Sequence, residues 1–321
     1  MRHHFKILFF LLVLILTSCV ENRIFIHLQP NGQTYFMFNS KGDSIDIYNQ
    51  DFLHPQALSQ WVTSTKVIEI DNEKNWVMST EGILKDSSIL FFKKDKLPLG
   101  YSFTRSTNKS WYKTEYEFSL SLGGRKIKNE FPKLYDAIKN EKTDSLYWLP
   151  EALTVLMQKG LNDISSHSLS QKQKVRNQRF VNHLRNSFAR VTTMKDLKLI
   201  QNNRVAYLTK LLKPFDVEPN FPSELASAML YHEKILQSTL DLNDDTFILK
   251  VIMPGKPIFT NAVEIIADTL IWNFGIDSLL SDSFKLNGKS VIYTTDRFPK
   301  TLISIGLLTL VFIGILIKRK N

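Results

Sequence analysis

Arg23-Ile24-Phe25-Ile26-His27-Leu28-Gln29, then Pro30-Asn31-Gly32-Gln33, then Thr34-Tyr35-Phe36-Met37-Phe38 is the stretch from which the fold can be read. Side chains alternate across an extended strand, so Ile24, Ile26 and Leu28 share one face. The Pro-Asn-Gly-Gln segment has turn chemistry, and the aromatic run after it favours a strand. Together they predict a β-hairpin. Further on, Pro55 to Val62 predicts a short helix. Lys66 to Ile70, Trp76 to Met78 and Ile89 to Phe92 predict strands. Trp111 to Leu122 predicts a long strand stopped by Gly123-Gly124.

From about Pro132 to Leu242 the apolar period becomes helical. Leu146 to Leu156 predicts a helix opened near Pro150 and closed by Gly160. Val181, Leu184, Phe188 and Val191 recur at threes and fours. Met194 to Leu212 predicts one further helix ended by Pro214, and Pro222-Ser223-Glu224 opens another. After Asp244-Asp245 strands return at Thr246 to Ile252, Ala262 to Ile266 and Thr269 to Phe274. Lys285-Leu286-Asn287-Gly288-Lys289 predicts an Asn-Gly hairpin before Ser290 to Tyr293.

Two apolar runs bracket this body. Arg2, His3, His4 and Lys6 precede ten apolar residues from Ile7 to Leu16, a signal-peptide pattern too short for a good span. Leu16-Thr17-Ser18-Cys19 resembles the bacterial lipobox at all four positions. That resemblance implies cleavage before Cys19 and lipidation of its sulfur, with diacylglycerol of palmitate type. Cys19 is the sole cysteine, so an intramolecular disulfide is impossible. Leu302 to Ile317 is uncharged over sixteen residues and ends in Lys318-Arg319-Lys320. It predicts a transmembrane helix with a cytoplasmic tail by the positive-inside rule.

The expected fold class is therefore α+β: a β-rich platform from both ends of the ectodomain, an inserted helical block, and one C-terminal transmembrane helix. The expected divisions are a signal peptide over 1–18, β-rich ectodomain over 19–130, a basic helical insertion over 131–242 and a β-rich remainder over 243–298. The transmembrane helix occupies 301–317 and the basic tail 318–321. Because both terminal segments join one platform, the two anchors are expected near each other. A spanning helix favours retention in the inner membrane, with the ectodomain outside the cytoplasm.

Lys250-Val251-Ile252-Met253-Pro254-Gly255-Lys256-Pro257-Ile258-Phe259-Thr260-Asn261, followed by Ala267-Asp268-Thr269-Leu270-Ile271-Trp272, resembles the end of the LppM-type bacterial lipoprotein domain. In that family a strand runs into Pro-Gly and a Thr-Asn turn, then into a Thr-x-x-Trp strand and a membrane helix with a basic tail. Here Ala267-Asp268-Thr269 stands where the family has a Gly-Asn-Thr type of turn. The match covers about 25 residues and the two-anchor layout. It implies an exported envelope lipoprotein and brings no catalytic residues with it.

Hydrophobic content of 43% excludes wholesale disorder, and the formal charge is +10. That charge is unevenly placed: residues 165–213 hold eleven Lys or Arg against Asp196 alone. Lys172, Lys174, Arg176, Arg179, Arg185 and Arg190 flank the apolar stripe and are the candidate anionic-surface contacts. Bilayer lipid, anionic lipid headgroups, envelope glycopolymer or another envelope protein are the expected partners, and nucleic acid is not. The acidic rest of the ectodomain could instead cover this block.

The histidines (His3, His4, His27, His54, His167, His183, His232) form no metal-binding spacing. No Gly-x-Ser-x-Gly elbow occurs. Gly123-Gly124-Arg125 reads as a turn with a solvated arginine. Asp43, Asp46, Asp51 and Asp71 could pair in space, though they read as turn residues. No cofactor, metal or catalytic residue is expected. The favoured function is a non-enzymatic binding or scaffold module at the membrane surface. The alternative is a lipid- or glycolipid-binding module with Tyr35, Phe36, Trp111 and Tyr116 lining a cleft. Third comes an envelope hydrolase, which needs two carboxylates in opposed environments.

Overall fold

The structure is a computed structural model that describes residues 20–49, 51–55, 61–70, 73–85, 90–92, 98–164, 171–215, 217–295 and 297–320. The strands are β1 (Glu21–Leu28), β2 (Thr34–Gly42), β3 (Val62–Ile70), β4 (Glu73–Leu84), β5 (Leu90–Phe92), β6 (Tyr101–Lys109), β7 (Lys113–Leu122), β8 (Thr246–Ile252), β9 (Lys256–Thr260), β10 (Glu264–Ile266), β11 (Thr269–Gly275) and β12 (Phe284–Tyr293). They form a seven-stranded sheet, β10-β11-β8-β1-β2-β4-β3, and a five-stranded sheet, β5-β6-β7-β12-β9. Short α1 (Ser44–Tyr48) follows β2. Between β7 and β8 lie α2 (Ile127–Glu130), α3 (Pro132–Lys139), α4 (Leu149–Ile164), α5 (Gln171–Phe188), α6 (Met194–Asn202), α7 (Arg204–Leu212) and α8 (Phe221–Asp241). The chain closes with α9 (Arg297–Lys320).

The period-two pattern that makes β1 a strand also makes the core. Ile24, Ile26 and Leu28 are buried, as are Phe36 and Phe38 of the antiparallel β2. The sheets face each other through these side chains. Phe36 meets Phe103 edge-on at 4.9 Å between ring centres, and Phe118 meets Trp272 at 5.9 Å. Burying each such ring stabilises the fold by about 1.5–3 kcal/mol.

Several expectations are corrected. Asn287-Gly288 is no hairpin: β12 runs unbroken from Phe284 to Tyr293, with a bulge at Lys289/Ser290. Gly288 is there for space. A Cβ on it would lie 2.5 Å from Phe118, 2.6 Å from Leu270 and 3.0 Å from the Met253 sulfur. Gly160 likewise does not close a helix. It sits within α4 where α8 crosses, its missing Cβ 3.2 Å from Met229. Met194 to Leu212 is two helices, broken at Asn203, whose backbone leaves the helical region (φ −128°, ψ 36°). Arg125 is half-buried rather than fully solvated, and that burial pulls its guanidinium down to about 10 while Asp51 opposes the shift. Its backbone N–H donates to Leu279 at 2.8 Å. The helix expected over Pro55 to Val62 falls largely outside the described residues, and Val62 itself opens β3.

The register also separates the two chain ends. Glu21 is level with Thr246 of the parallel β8, and Thr246 is level with Gly275. From Gly275 the chain turns back into Phe284, opposite Leu122. At the other end, His27 is level with Ile252, which leads through Met253-Pro254-Gly255 into Lys256, opposite Val291. Val20 therefore leaves one end of the sandwich and α9 the other. Ten-residue β12 puts about 33 Å between those ends at ~3.3 Å per residue. The expected closeness of the anchors is wrong because both terminal strands point along the sandwich and finish at opposite edges. The helical block, joined to Leu122 and Thr246, shares the Val20 end.

Among the described residues no helix is long and apolar enough to cross a membrane, so the span expected over 301–317 is unsupported. What stands there is α9, 24 residues that start at Arg297, with Pro299 in the first turn where its missing N–H breaks no helical bond.

Candidate functional site

The two ends offer different chemistry. At the Val20 end, β1, β2, β4 and the approach to β8 bring polar residues together under the helical block. Asn22 Nδ2 donates to Asp245 Oδ2 (2.9 Å), and the Ser40 hydroxyl donates to Asn22 Oδ1 (2.5 Å). Ser40 Oγ also meets His54 Nε2 at 2.8 Å, and His54 Nδ1 meets Thr80 Oγ1 at 3.0 Å. Thr80 continues to Thr63 at 2.9 Å. Ser40 beside His54 has the distance of a nucleophile and base. The pair is buried, however, with Ser40 4% exposed, and the second imidazole nitrogen faces a hydroxyl where an orienting carboxylate would be needed. Burial pulls His54 down to about 4.

Three carboxyls lie close by. Burial and then the charge of Asp51 push Asp245 up to about 8. Burial raises Asp51 to about 6, and burial with neighbouring Asp43 raises Asp46 to about 6. All three shift in one direction, unlike the opposed pair that glycoside hydrolysis needs. Asp43 caps α1, accepting from the Ile45 and Asp46 amides, and Asp71 lies outside the described residues. Among the described residues no three His, Cys, Asp or Glu are placed to hold a metal ion.

A cleft of about 600 Å³ opens between this end of the sandwich and helices α4 and α8. Arg125, Lys126 and Lys159 give it cationic walls, and Phe131, Ile235 and Leu236 apolar ones. Lys159 pairs with Glu130 and lies 5.6 Å above the Phe131 ring centre. The aromatics expected to line a cleft do not meet. Phe36 and Tyr116 are core residues, Tyr35 donates to Glu81 on the outer face (2.6 Å), and Trp111 is at the far hairpin tip.

The basic block lies beyond this cleft. Phe180, Val181, Leu184 and Phe188 are the buried side of α5. Arg176, Arg179, Arg185 and Arg190 are exposed, and none has a carboxylate partner among the described residues. Arg176 lies over the Phe180 ring at 5.7 Å. The side chains of Lys172 and Lys174 lie outside the described residues. Of the other cations in this segment, Arg204 is bound by Glu233 of α8. A second cleft, about 530 Å³, has Arg190 and Lys210 at its rim with Asp196.

The opposite end is apolar. Trp111 and Tyr112, read from sequence as the start of a strand, form the exposed tip of the β6–β7 hairpin. Phe298 packs beside Trp111 at 6.3 Å, and Arg297 Nη1 donates to the Trp111 carbonyl at 3.4 Å. Ile258 and Phe259 on β9, Val263, and Ile265 and Ile266 on β10 are bare. Along α9, ten large apolar side chains from Leu302 to Ile315 are exposed. Sequence reasoning missed β9 and this cluster. The signal was there in five large apolar residues within 258–266, spaced for two edge strands rather than one core strand.

Cys19 lies outside the described residues, but its neighbour is fixed. Val20 is buried, its carbonyl accepts from the Thr246 amide at 2.9 Å, and the missing Cβ of Gly42 makes room for it.

No family model matches this chain, and no curated protein matches it. Among solved structures it is similar to the solution structure of the folded domain of LppM from Mycobacterium tuberculosis. That likeness covers 87% of this chain and 94% of that one, at 7% identity and a TM-score of 0.30. It carries no argument about the site.

Proposed function

We propose that this chain is a non-enzymatic binding or scaffold module of a bacterial envelope, held at a membrane by α9 and lipidated at Cys19. The observation that carries this reading is the bare apolar surface of α9. Each fully buried valine, leucine, isoleucine or phenylalanine is favoured by about 1.5–3 kcal/mol, so a helix with ten such side chains exposed has lipid as its natural solvent. The lipobox-like Leu16-Thr17-Ser18-Cys19 supports the envelope assignment and the acyl group. The exposed arginines of α5 supply the binding surface, for an acidic glycopolymer or an acidic envelope protein.

Flotation with phosphatidylethanolamine–phosphatidylglycerol vesicles tests the anchor. The full chain carrying Cys19→Ser should float, and the same chain with Leu307→Asp, Leu310→Asp and Ile313→Asp should stay behind. Equal flotation of both would overturn the role of α9. For Cys19, intact mass of the wild type isolated from a bacterium should show a chain beginning at residue 19 with acyl groups. An unmodified mature thiol would sink that part.

A second reading is favoured by the cleft beside Arg125 and Lys159. Cationic walls next to Phe131, Ile235 and Leu236 suit an anionic amphiphile such as a phospholipid or glycolipid. Native mass spectrometry of the protein extracted in mild detergent would show a retained lipid, and Leu236→Arg should abolish it.

A further inference from the structure

We infer that the α9 end of the sandwich is itself a bilayer-docking face, in which the Trp111-Tyr112 tip and the β9–β10 segment sit in the headgroup layer of the membrane that holds α9. This rests on the reading of α9 as membrane-seated and adds the orientation of the whole molecule.

Geometry supplies the first argument. The β9–β10 segment starts at the α9 end, where Lys256 is level with Val291. It climbs to mid-sandwich at Asn261, whose amide donates to Asn287, and returns as Ile266 pairs with Thr269. Its bare side chains, with Phe259 62% and Val263 79% exposed, are thus confined to the half of the sandwich from which α9 leaves. β9 and β10 are edge strands of their two sheets. An apolar, unpaired edge in water invites pairing or aggregation, and here it bears no proline beyond Pro257 and few charges to prevent that.

Chemistry supplies the second. Exposed Trp111, Tyr112, Tyr293 and Phe298 lie where the chain enters α9, and aromatic residues of this kind belong at the membrane–water boundary. Exposed Lys109, Lys256, Arg297 and Lys300 lie on this half, against exposed Glu117, Glu264 and Asp268. Lys113 is already paired with Glu115 at 2.5 Å. The continuity of this face with α9 selects a bilayer as its occupant over a second copy of the chain.

The test uses full-length protein carrying Cys19→Ser, reconstituted in phosphatidylethanolamine–phosphatidylglycerol nanodiscs with nitroxide-labelled lipid. Single cysteines at Tyr112→Cys, Phe259→Cys and Ile265→Cys receive a fluorophore, with Leu307→Cys in α9 and Val175→Cys in the helical block as references. Labels at 112, 259 and 265 should be quenched by headgroup nitroxide several-fold more than the label at 175, and shielded from aqueous iodide. Quenching at 307 without quenching at 112, 259 and 265 would overturn the docking face and leave the membrane-held reading intact. No quenching at 307 would overturn that reading first. Shielding from iodide at 259 and 265 without lipid quenching would mean a protein neighbour covers the edge, and the inference would fall.

Discussion

The two ends of this sandwich have been built to opposite specifications. The end carrying Val20 is polar inside and cationic outside: a chain from Asp245 through Asn22, Ser40 and His54 to Thr80, roofed by helices whose arginines face solvent. The end carrying α9 keeps isolated polar contacts inside, Arg105 to Thr34 and Ser290 to the Pro254 carbonyl, and is apolar outside, with bare aromatics at its tip. About 33 Å separates them, and charge is screened over about 10 Å at 0.1 M salt. A membrane touching one end cannot feel the other electrostatically. If α9 is seated in a bilayer as proposed, the arginines of α5 would need a different partner.

The largest effect is expected midway between the two ends, where the sheets meet across Gly288. Gly288→Ala places a methyl group on Phe118 and Leu270, in a core where overpacking costs about 1–3 kcal/mol. Thermal unfolding should fall by several degrees, and an unchanged midpoint would mean that the core there is loose. At the polar end the corresponding probe is Asp245→Asn. The Asp245 carboxyl, held up at about 8, is ordinarily near 3.9 when unfolded. A raised acid stabilises the folded state fully below the unfolded value, and that contribution is lost as pH rises through about 8. Asp46 and Asp51, raised to about 6, act in the same direction. Buried His54, pulled down to about 4, opposes them only up to its ordinary value near 6.5, so stability should still decline from pH 4 towards pH 8. The Asp245→Asn variant should flatten that slope and gain about 1–3 kcal/mol at pH 8, with nothing gained at pH 4. Denaturant titrations at both pH values decide it, and a parallel offset would contradict the buried-acid account.

Smaller effects sharpen the comparison. Gly160→Ala adds a methyl at 3.2 Å from Met229 but gains about 1 kcal/mol of helix propensity, so its net effect should stay below that of Gly288→Ala. Replacing Arg176, Arg179, Arg185 and Arg190 with Gln should leave both unfolding and flotation unchanged. It should instead remove salt-sensitive retention on an acidic polysaccharide column. Loss of flotation in that variant would show that the cationic end meets the membrane after all.

Much of the strand plan was legible because alternation is local. Ile24, Ile26 and Leu28 announce β1, and Thr246 to Ile252 announces β8, within seven or eight residues. The misreadings share a cause. Gly288 and Gly160 are glycines for what packs across them, and nothing within five residues of either reveals Phe118 or Met229. Asn203 breaks a helix whose apolar period runs on through it. At the site level, the cationic α5 was visible as composition, whereas its distance from α9 depends on the register of β1, β8 and β12. The Asp245–Asn22 contact joins residues 223 apart, and no spacing rule reaches that far.

That same long reach governs how the molecule assembles. β1, the first strand made, lies between β2 and β8 near the middle of the larger sheet, so its second flank stays open until the last quarter of the chain arrives. Pairings this distant in sequence form late and slowly. Until Thr246 to Ile252 docks, Glu21 to His27 offers a row of unsatisfied amides and carbonyls to any passing strand. A chain stopped short of β8 would have its hairpin and its helices, and would be the form most in need of a chaperone.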